Sequence, residues 1–506
     1  YDVSMSNYKE YRKSCETGVD MKAYSFVLAA LFITVTSFGQ NTDTYTAELQ
    51  INKPYCLLNF METLKTNGYY GPTLYSFYQK SKFNNDENLK KLLQQYKNLK
   101  ISYAYHFDSY PKYRFMARDK STKDLFYILS SRSESLEDFK RVSVGIIPFH
   151  EHQQLFEILK AVEPIYDELI WDPYYGTAQK RLKELKQYAQ KINLNGKFRP
   201  IATFLNSSWP TDIPIVVSFS IVPGEKVRLV PPPQGNTIFC GLLTESDDYS
   251  WYIGLITHEF SHKAFAEQSL MMHQQIEQWF TSSKSPHRGM VNFIFNEALG
   301  GGIGHKIKED LLGRPHEFTY GQSFMRDYDQ AIYPLVVSYL NDAKSIDKNF
   351  INESLRIYEE TFPNALREYS YLFQAYYLLT DADDSRKRNL TGLIRKNISG
   401  PLMYEFGNPI IDDKNIDALI AYDFTKLLVI TKNHEKTIEY LKGKISELDR
   451  FENLDMESDF VLSFNDVQEK PYVIINIHSF EKYEEVLKKM KSLKMIDPKN
   501  PIVLID

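Results

Sequence analysis

Two histidines four residues apart flank a glutamate in His258-Glu259-Phe260-Ser261-His262. On a helix, positions i and i+4 lie one turn apart on the same face. Both imidazoles can then reach one Zn²⁺, and Glu259 between them can reach a water beside it. The chemistry this spacing allows is metal-assisted hydrolysis. Such a site takes a third protein ligand and leaves a fourth position open. Glu297 is the candidate. It lies in Met290-Val291-Asn292-Phe293-Ile294-Phe295-Asn296-Glu297-Ala298-Leu299, an apolar segment of helical character where a lone carboxylate calls for a cationic partner.

These side chains need elements to hold them. The run Asp247-Asp248-Tyr249-Ser250 supplies a helix N-cap, and the apolar residues after it supply a buried face. The helix is expected to continue through Glu267. Three strands are expected to back it: Ile213 to Val222, Lys226 to Val230, and Thr237 to Leu243. Pro231-Pro232-Pro233-Gln234-Gly235-Asn236 is the loop before the third strand.

With these motifs in place, the stretch from about residue 237 to 328 resembles the gluzincins, the clan of thermolysin-like peptidases and aminopeptidases. Their pattern is H-E-x-x-H followed by a Glu on a second helix, often preceded by Asn, and Asn296-Glu297-Ala298 matches it. The resemblance implies His258, His262 and Glu297 as Zn²⁺ ligands, with Glu259 as general base. It also implies a donor for the developing oxyanion from beyond the third ligand, where His305, His316, Tyr320 and Tyr328 are the candidates. The sequence departs from the pattern at two places. Thermolysin-like members usually carry an Asp four residues after the ligand Glu, where this chain has Gly301, so another group must orient the imidazole. Lys263 stands directly after the second histidine, where many members are uncharged. The resemblance implies an α+β fold: a zincin-like metallopeptidase core, built from a small sheet, the HExxH helix and a second ligand-bearing helix, with flanking α/β and helical regions. It implies a peptide or protein substrate. No G-x-M-E-N type signature for holding a free amine is present, which favours endopeptidase over aminopeptidase action. The competing reading is a non-catalytic secreted binding protein on a zincin-like scaffold.

Gly300-Gly301-Gly302-Ile303-Gly304 lacks the following Lys-Ser or Lys-Thr of a phosphate loop and comes after a helix rather than a strand. Glycines there suit a helix end or close helix packing.

At 506 residues the chain is too long for one core. A net charge of −5 indicates neither a nucleic-acid partner nor a polybasic membrane role. Met21-Lys22 and the apolar run to Thr36, followed by Ser37-Phe38-Gly39, read as a secretory signal peptide cleaved before Gln40. The expected location is secreted or periplasmic, with no stable membrane anchor after cleavage. Cys56 and Cys240 would then be the remaining cysteines, expected as buried free thiols.

The expected organisation is an over-extended start or cloning remnant at 1–20, the signal peptide at 21–39, and a mixed α/β region at 40–205 that is either a propeptide or a scaffold. The metallopeptidase core follows at 206–340, a helical region at 341–410 and a small α/β module at 411–506. Within these, Asp86 to Tyr96 and Thr177 to Ile192 read as helices, and Val142 to Ile147 as a strand. His150-Glu151-His152 reads as a helix start or loop. The chain from Tyr320 to about Leu379 reads as helical. The module reads as β-α-β-α-β, with strands at 427–430, 472–477 and 502–505 and helices at 434–448 and 480–493.

Overall fold

In the computed structural model the chain is described over residues 44–505, apart from 70, 226–234, 317–321 and 452–453. The expected signal segment, the strand expected at Lys226 to Val230, and Tyr320 fall outside the described residues. The described strands are β1 (Ala47–Gln50), β2 (Ala104–His106), β3 (Asp119–Ser121), β4 (Ile215–Val222), β5 (Thr237–Leu243), β6 (Ala375–Thr380), β7 (Met403–Gly407), β8 (Thr425–Ile430), β9 (Asp459–Asn465), β10 (Pro471–Asn476) and β11 (Ile502–Ile505).

The first sheet has the order β1-β4-β5, with parallel pairing throughout. β4 and β5 are buried at every position, which is why they read as near-continuous apolar runs rather than alternating ones. Among the described residues the third member of this sheet is β1. A strand whose partner lies far along the chain leaves no local mark in the sequence. The N-terminal region thus contributes a strand to this sheet. One apolar core runs from Tyr45 to Ala365, and both Cys56 and Cys240 are buried in it as free thiols.

Two helices lie at the heart of this unit. The histidine helix, Tyr249–Ala266, starts at Asp248, whose carboxylate accepts from Trp251 N at 3.0 Å. Tyr252 OH accepts from Leu243 N at 2.8 Å and ties the helix start to the end of β5. The glutamate helix, Arg288–Leu312, packs along it and stops at Gly313, whose φ of 63° is the left-handed conformation that ends many helices. The next helix, Ser323–Asn341, packs on the glutamate helix in turn.

Other expectations fare unevenly. Helices at Glu87–Asn98 and Asp172–Lys191 lie where they were read. His150 to His152 form the first turn of the helix Phe149–Tyr166. Val142 to Ile147 is not a strand. Val142 ends a short helix, Leu136–Val142, and the rest is a turn in which Gly145 has φ 87°. A short apolar run cannot by itself tell strand from turn, and the glycine decides.

The helices of this region run from Ser323 only as far as Leu372, and Ala375–Thr380 is β6. The second large sheet has the order β11-β9-β10-β8-β6-β7. It draws in β6 and β7 from the segment read as helical, and β9, for which no strand was expected. β7, β6, β8 and β10 are mutually parallel, while β9 pairs antiparallel with both β10 and β11. Separate apolar clusters cover its two faces. It meets the first unit at the start of the glutamate helix, where the Phe293 ring packs on Phe424 and Tyr113. Tyr113 OH donates to Asp423 at the same place. No described helix is long and apolar enough to cross a membrane.

Candidate metal centre

His258 and His262 fall in mid-helix, where the backbone is held on both sides. Their Nε2 atoms face one another at 3.0 Å. Glu297 projects from the facing helix, with Oε1 3.6 Å from His258 Nε2 and Oε2 3.3 Å from His262 Nε2. Among the described residues this is the one cluster of His, Cys, Asp and Glu with metal-binding spacing. Two ligand atoms held tetrahedrally at typical zinc distances are about 3.3 Å apart. The imidazole pair and the carboxylate oxygen nearer each histidine lie close to that figure, and one ligand atom from each residue lies within 4.8 Å of the other two, so the residues present fit a three-ligand metal site.

The electrostatics agree with the geometry. Burial opposes the charge on His262, but Glu297 and Glu259 outweigh it and raise its pKa to about 9. Burial would raise Glu297, and the two imidazoles instead hold it well below the usual carboxylate range. The carboxylate and the imidazoles are poised to share a cation. The Glu297 side chain is 39% exposed and that of His258 19%, so solvent reaches the cluster from one side. Glu259 is buried, and burial raises its carboxyl despite the nearby histidines. It interacts electrostatically with Cys240 of β5 and with His258, His262 and Glu297.

The helices can approach this closely because of the glycine run, which lies inside the glutamate helix rather than after it. A β-carbon at Gly300 would stand 2.9 Å from His262 Cε1 and 3.2 Å from His258 Cε1. One at Gly304 would stand 2.9 Å from Gly254 O and 3.0 Å from His258 Cβ. Glycine inside a helix costs about 0.5–1 kcal/mol per position relative to alanine. Here the alternative is overlap with the ligand rings.

The remaining sequence candidates that fall among the described residues are not drawn into the triad. Tyr328 is fully buried and its hydroxyl donates to Ser354 O at 3.0 Å. His305 and His316 stack with ring centroids 5.8 Å apart. His305 Nε2 lies 3.2 Å from Glu309 Oε1, and His316 Nε2 lies 2.7 Å from Lys308 Nζ. They form a cluster of their own further along the helix.

Two groups near the site went unread in the sequence. Arg114 is buried, donates to Asn292 Oδ1 at 2.9 Å, and lies over the Phe265 ring. Asn292 donates on to Glu277 at 2.8 Å, so this network braces the glutamate helix upstream of Glu297. Asp329, on the helix Ser323–Asn341, is buried against Gly301. Burial and Glu297 together raise its pKa to about 9. Neither residue belongs to a motif with readable spacing.

No family model matches the chain, and searches of curated proteins and of solved structures return no match either.

Proposed function

We propose that this chain is a secreted zinc-dependent metallopeptidase of gluzincin type that hydrolyses peptide bonds, with endopeptidase action favoured. The observation that carries the reading is the meeting of three residues with zinc-ligand chemistry, the two Nε2 atoms 3.0 Å apart, Glu297 Oε1 3.6 Å from His258 Nε2 and Glu297 Oε2 3.3 Å from His262 Nε2, spacings that one zinc ion can bridge. His258, His262 and Glu297 would hold the ion. When bound, zinc supplies Lewis acidity toward a carbonyl oxygen and makes water more acidic. Glu259 takes the proton of the attacking water at its carboxylate and passes it to the leaving amine. Its burial suits this work, because a carboxylate raised above its ordinary pKa is a stronger base. The glycines at 300 and 304 keep the ligand rings in register with Glu297. The substrate would be a peptide or protein, and nothing in the charge points to nucleic acid.

Elemental analysis of protein beginning at Gln40 tests the metal, with about one zinc per chain expected. Glu259→Gln tests the chemistry. That variant is expected to keep zinc and lose peptide turnover by at least about 10²-fold. A variant that retained full turnover on a peptide library would remove Glu259 from its role. A chain without zinc after reconstitution would favour the binding-protein reading.

A further inference from the structure

Asp329 has an aspect that the triad alone does not explain. It is 1% exposed, and neither carboxylate oxygen has a hydrogen-bond partner among the described residues. A buried carboxyl left unpaired is destabilising unless something else compensates it. It reaches its place through a gap in the glutamate helix. A β-carbon at Gly301 would stand 2.8 Å from Asp329 Cγ and overlap the carboxylate outright. Gly301 is one turn beyond Glu297 on the same helix, and the groups that act on Asp329 electrostatically are Glu297 and His262. On the other side, His262 Nδ1 is buried and makes no hydrogen bond of good geometry. The Asn296 side chain, next to Glu297, interacts with this imidazole, so the unpartnered group shut off from water is the Asp329 carboxylate. A cation on the triad would give it a purpose. A metal-ligating imidazole needs its second nitrogen oriented, and a buried carboxylate near the ion supplies compensating charge.

We propose that Asp329 is a positioning residue of the triad, a carboxylate delivered through the Gly301 gap by a third helix to balance a divalent cation on His258, His262 and Glu297. The proposal rests on the metal-site reading above. It adds that the third helix, and not the glutamate helix, carries the outer carboxylate. Glycine at 301 is then required by the carboxylate at 329, and the two positions form a pair.

The pair suggests its own test, read as zinc affinity by competition with a chromophoric chelator, alongside thermal melting of the metal-free protein. Wild type is measured first. Asp329→Asn is expected to weaken zinc binding by about 10- to 100-fold. The same change removes an uncompensated carboxyl from the metal-free core, so the metal-free melting temperature is expected to hold or rise. Asp329→Ala should behave alike in zinc affinity. Combining it with Gly301→Asp returns a carboxylate to the gap from the other helix, and is expected to recover at least about tenfold of the loss. Unchanged zinc affinity in Asp329→Asn would overturn the proposal. So would an affinity loss that tracks a fall in metal-free stability and is not recovered by the double variant, since that is what a merely structural carboxyl would give. A wild-type chain that binds no zinc would overturn the metal-site reading and this proposal together. Zinc bound equally by wild type and Asp329→Asn would overturn this proposal alone.

Discussion

At the scale of single residues, the site depends as much on missing atoms as on ligands. Gly300 sits where any side chain would press on both imidazoles, with Ser261 Oγ a further 3.1 Å neighbour. Two of these neighbours are ring atoms of the histidine helix, which is packed along the glutamate helix, and not flexible ends that can swing away. Gly300→Ala is therefore expected to lower stability by about 1–3 kcal/mol, despite alanine's better helix propensity. It should also weaken zinc binding by moving the rings. Chemical denaturation together with a zinc titration checks both effects, and an alanine accepted without loss in either would show that the helices can part. That His258, His262 and Glu297 come together was readable from their types and spacing: imidazoles at i and i+4, and a lone carboxylate in an apolar run. Asp329 was not readable. Its neighbours belong to other helices, and an Asp on an amphipathic helix looks like any solvated residue until the packing is known.

At the scale of elements, the histidine helix owes its start to Asp248. Its carboxylate accepts from both Trp251 N and Ser250 Oγ, the latter at 2.6 Å. Asp248→Ala is expected to cost about 1 kcal/mol. Because the first turn also carries Tyr252, bound to the end of β5, fraying there would loosen the helix against its sheet. A thermal melt of the variant checks the size of the effect, and amide exchange over residues 249–255 checks its place. The cap and both ligand helices were legible, since capping chemistry and a 3.6-residue period are local. β6 and β7 were not. Ala375-Tyr376-Tyr377-Leu378-Leu379-Thr380 is buried on both faces, so it shows no alternation, and it follows a genuinely helical stretch. Only its pairing with β8 and β7 makes it a strand.

At the scale of the molecule, the two units meet at the beginning of the glutamate helix. Asp423 anchors that junction. Burial pushes its carboxyl up, but the Tyr113 hydroxyl and the ammonium groups of Lys470 and Lys112 more than offset this and hold it below its ordinary value. A carboxylate depressed in the folded state contributes stability above the unfolded pKa of about 3.9. That contribution is lost as pH falls through the lower folded value. Asp423→Asn is therefore expected to melt earlier than wild type near pH 7, with the gap closing as pH drops below about 4. Melting curves across that range check it, and a gap that stayed constant with pH would mean the charge is immaterial. The mixed α/β character of the whole chain was visible from its segments. The membership of each sheet was not, because a pairing partner is a property of the folded chain and not of any window along it.

β4 is bordered by β5, which follows it closely in sequence, and by β1, made long before it. During synthesis the outer edge of the sheet thus emerges first and waits for its neighbour. Closing so long an intervening loop must precede the hydrogen bonds that stabilise it, which makes such pairings slow to form. The histidine helix packs against β5 of this late-closing sheet. His258, His262 and Glu297 all come after β5 in the chain, so the residues of the candidate metal centre are made only once every described strand of this sheet has been synthesised.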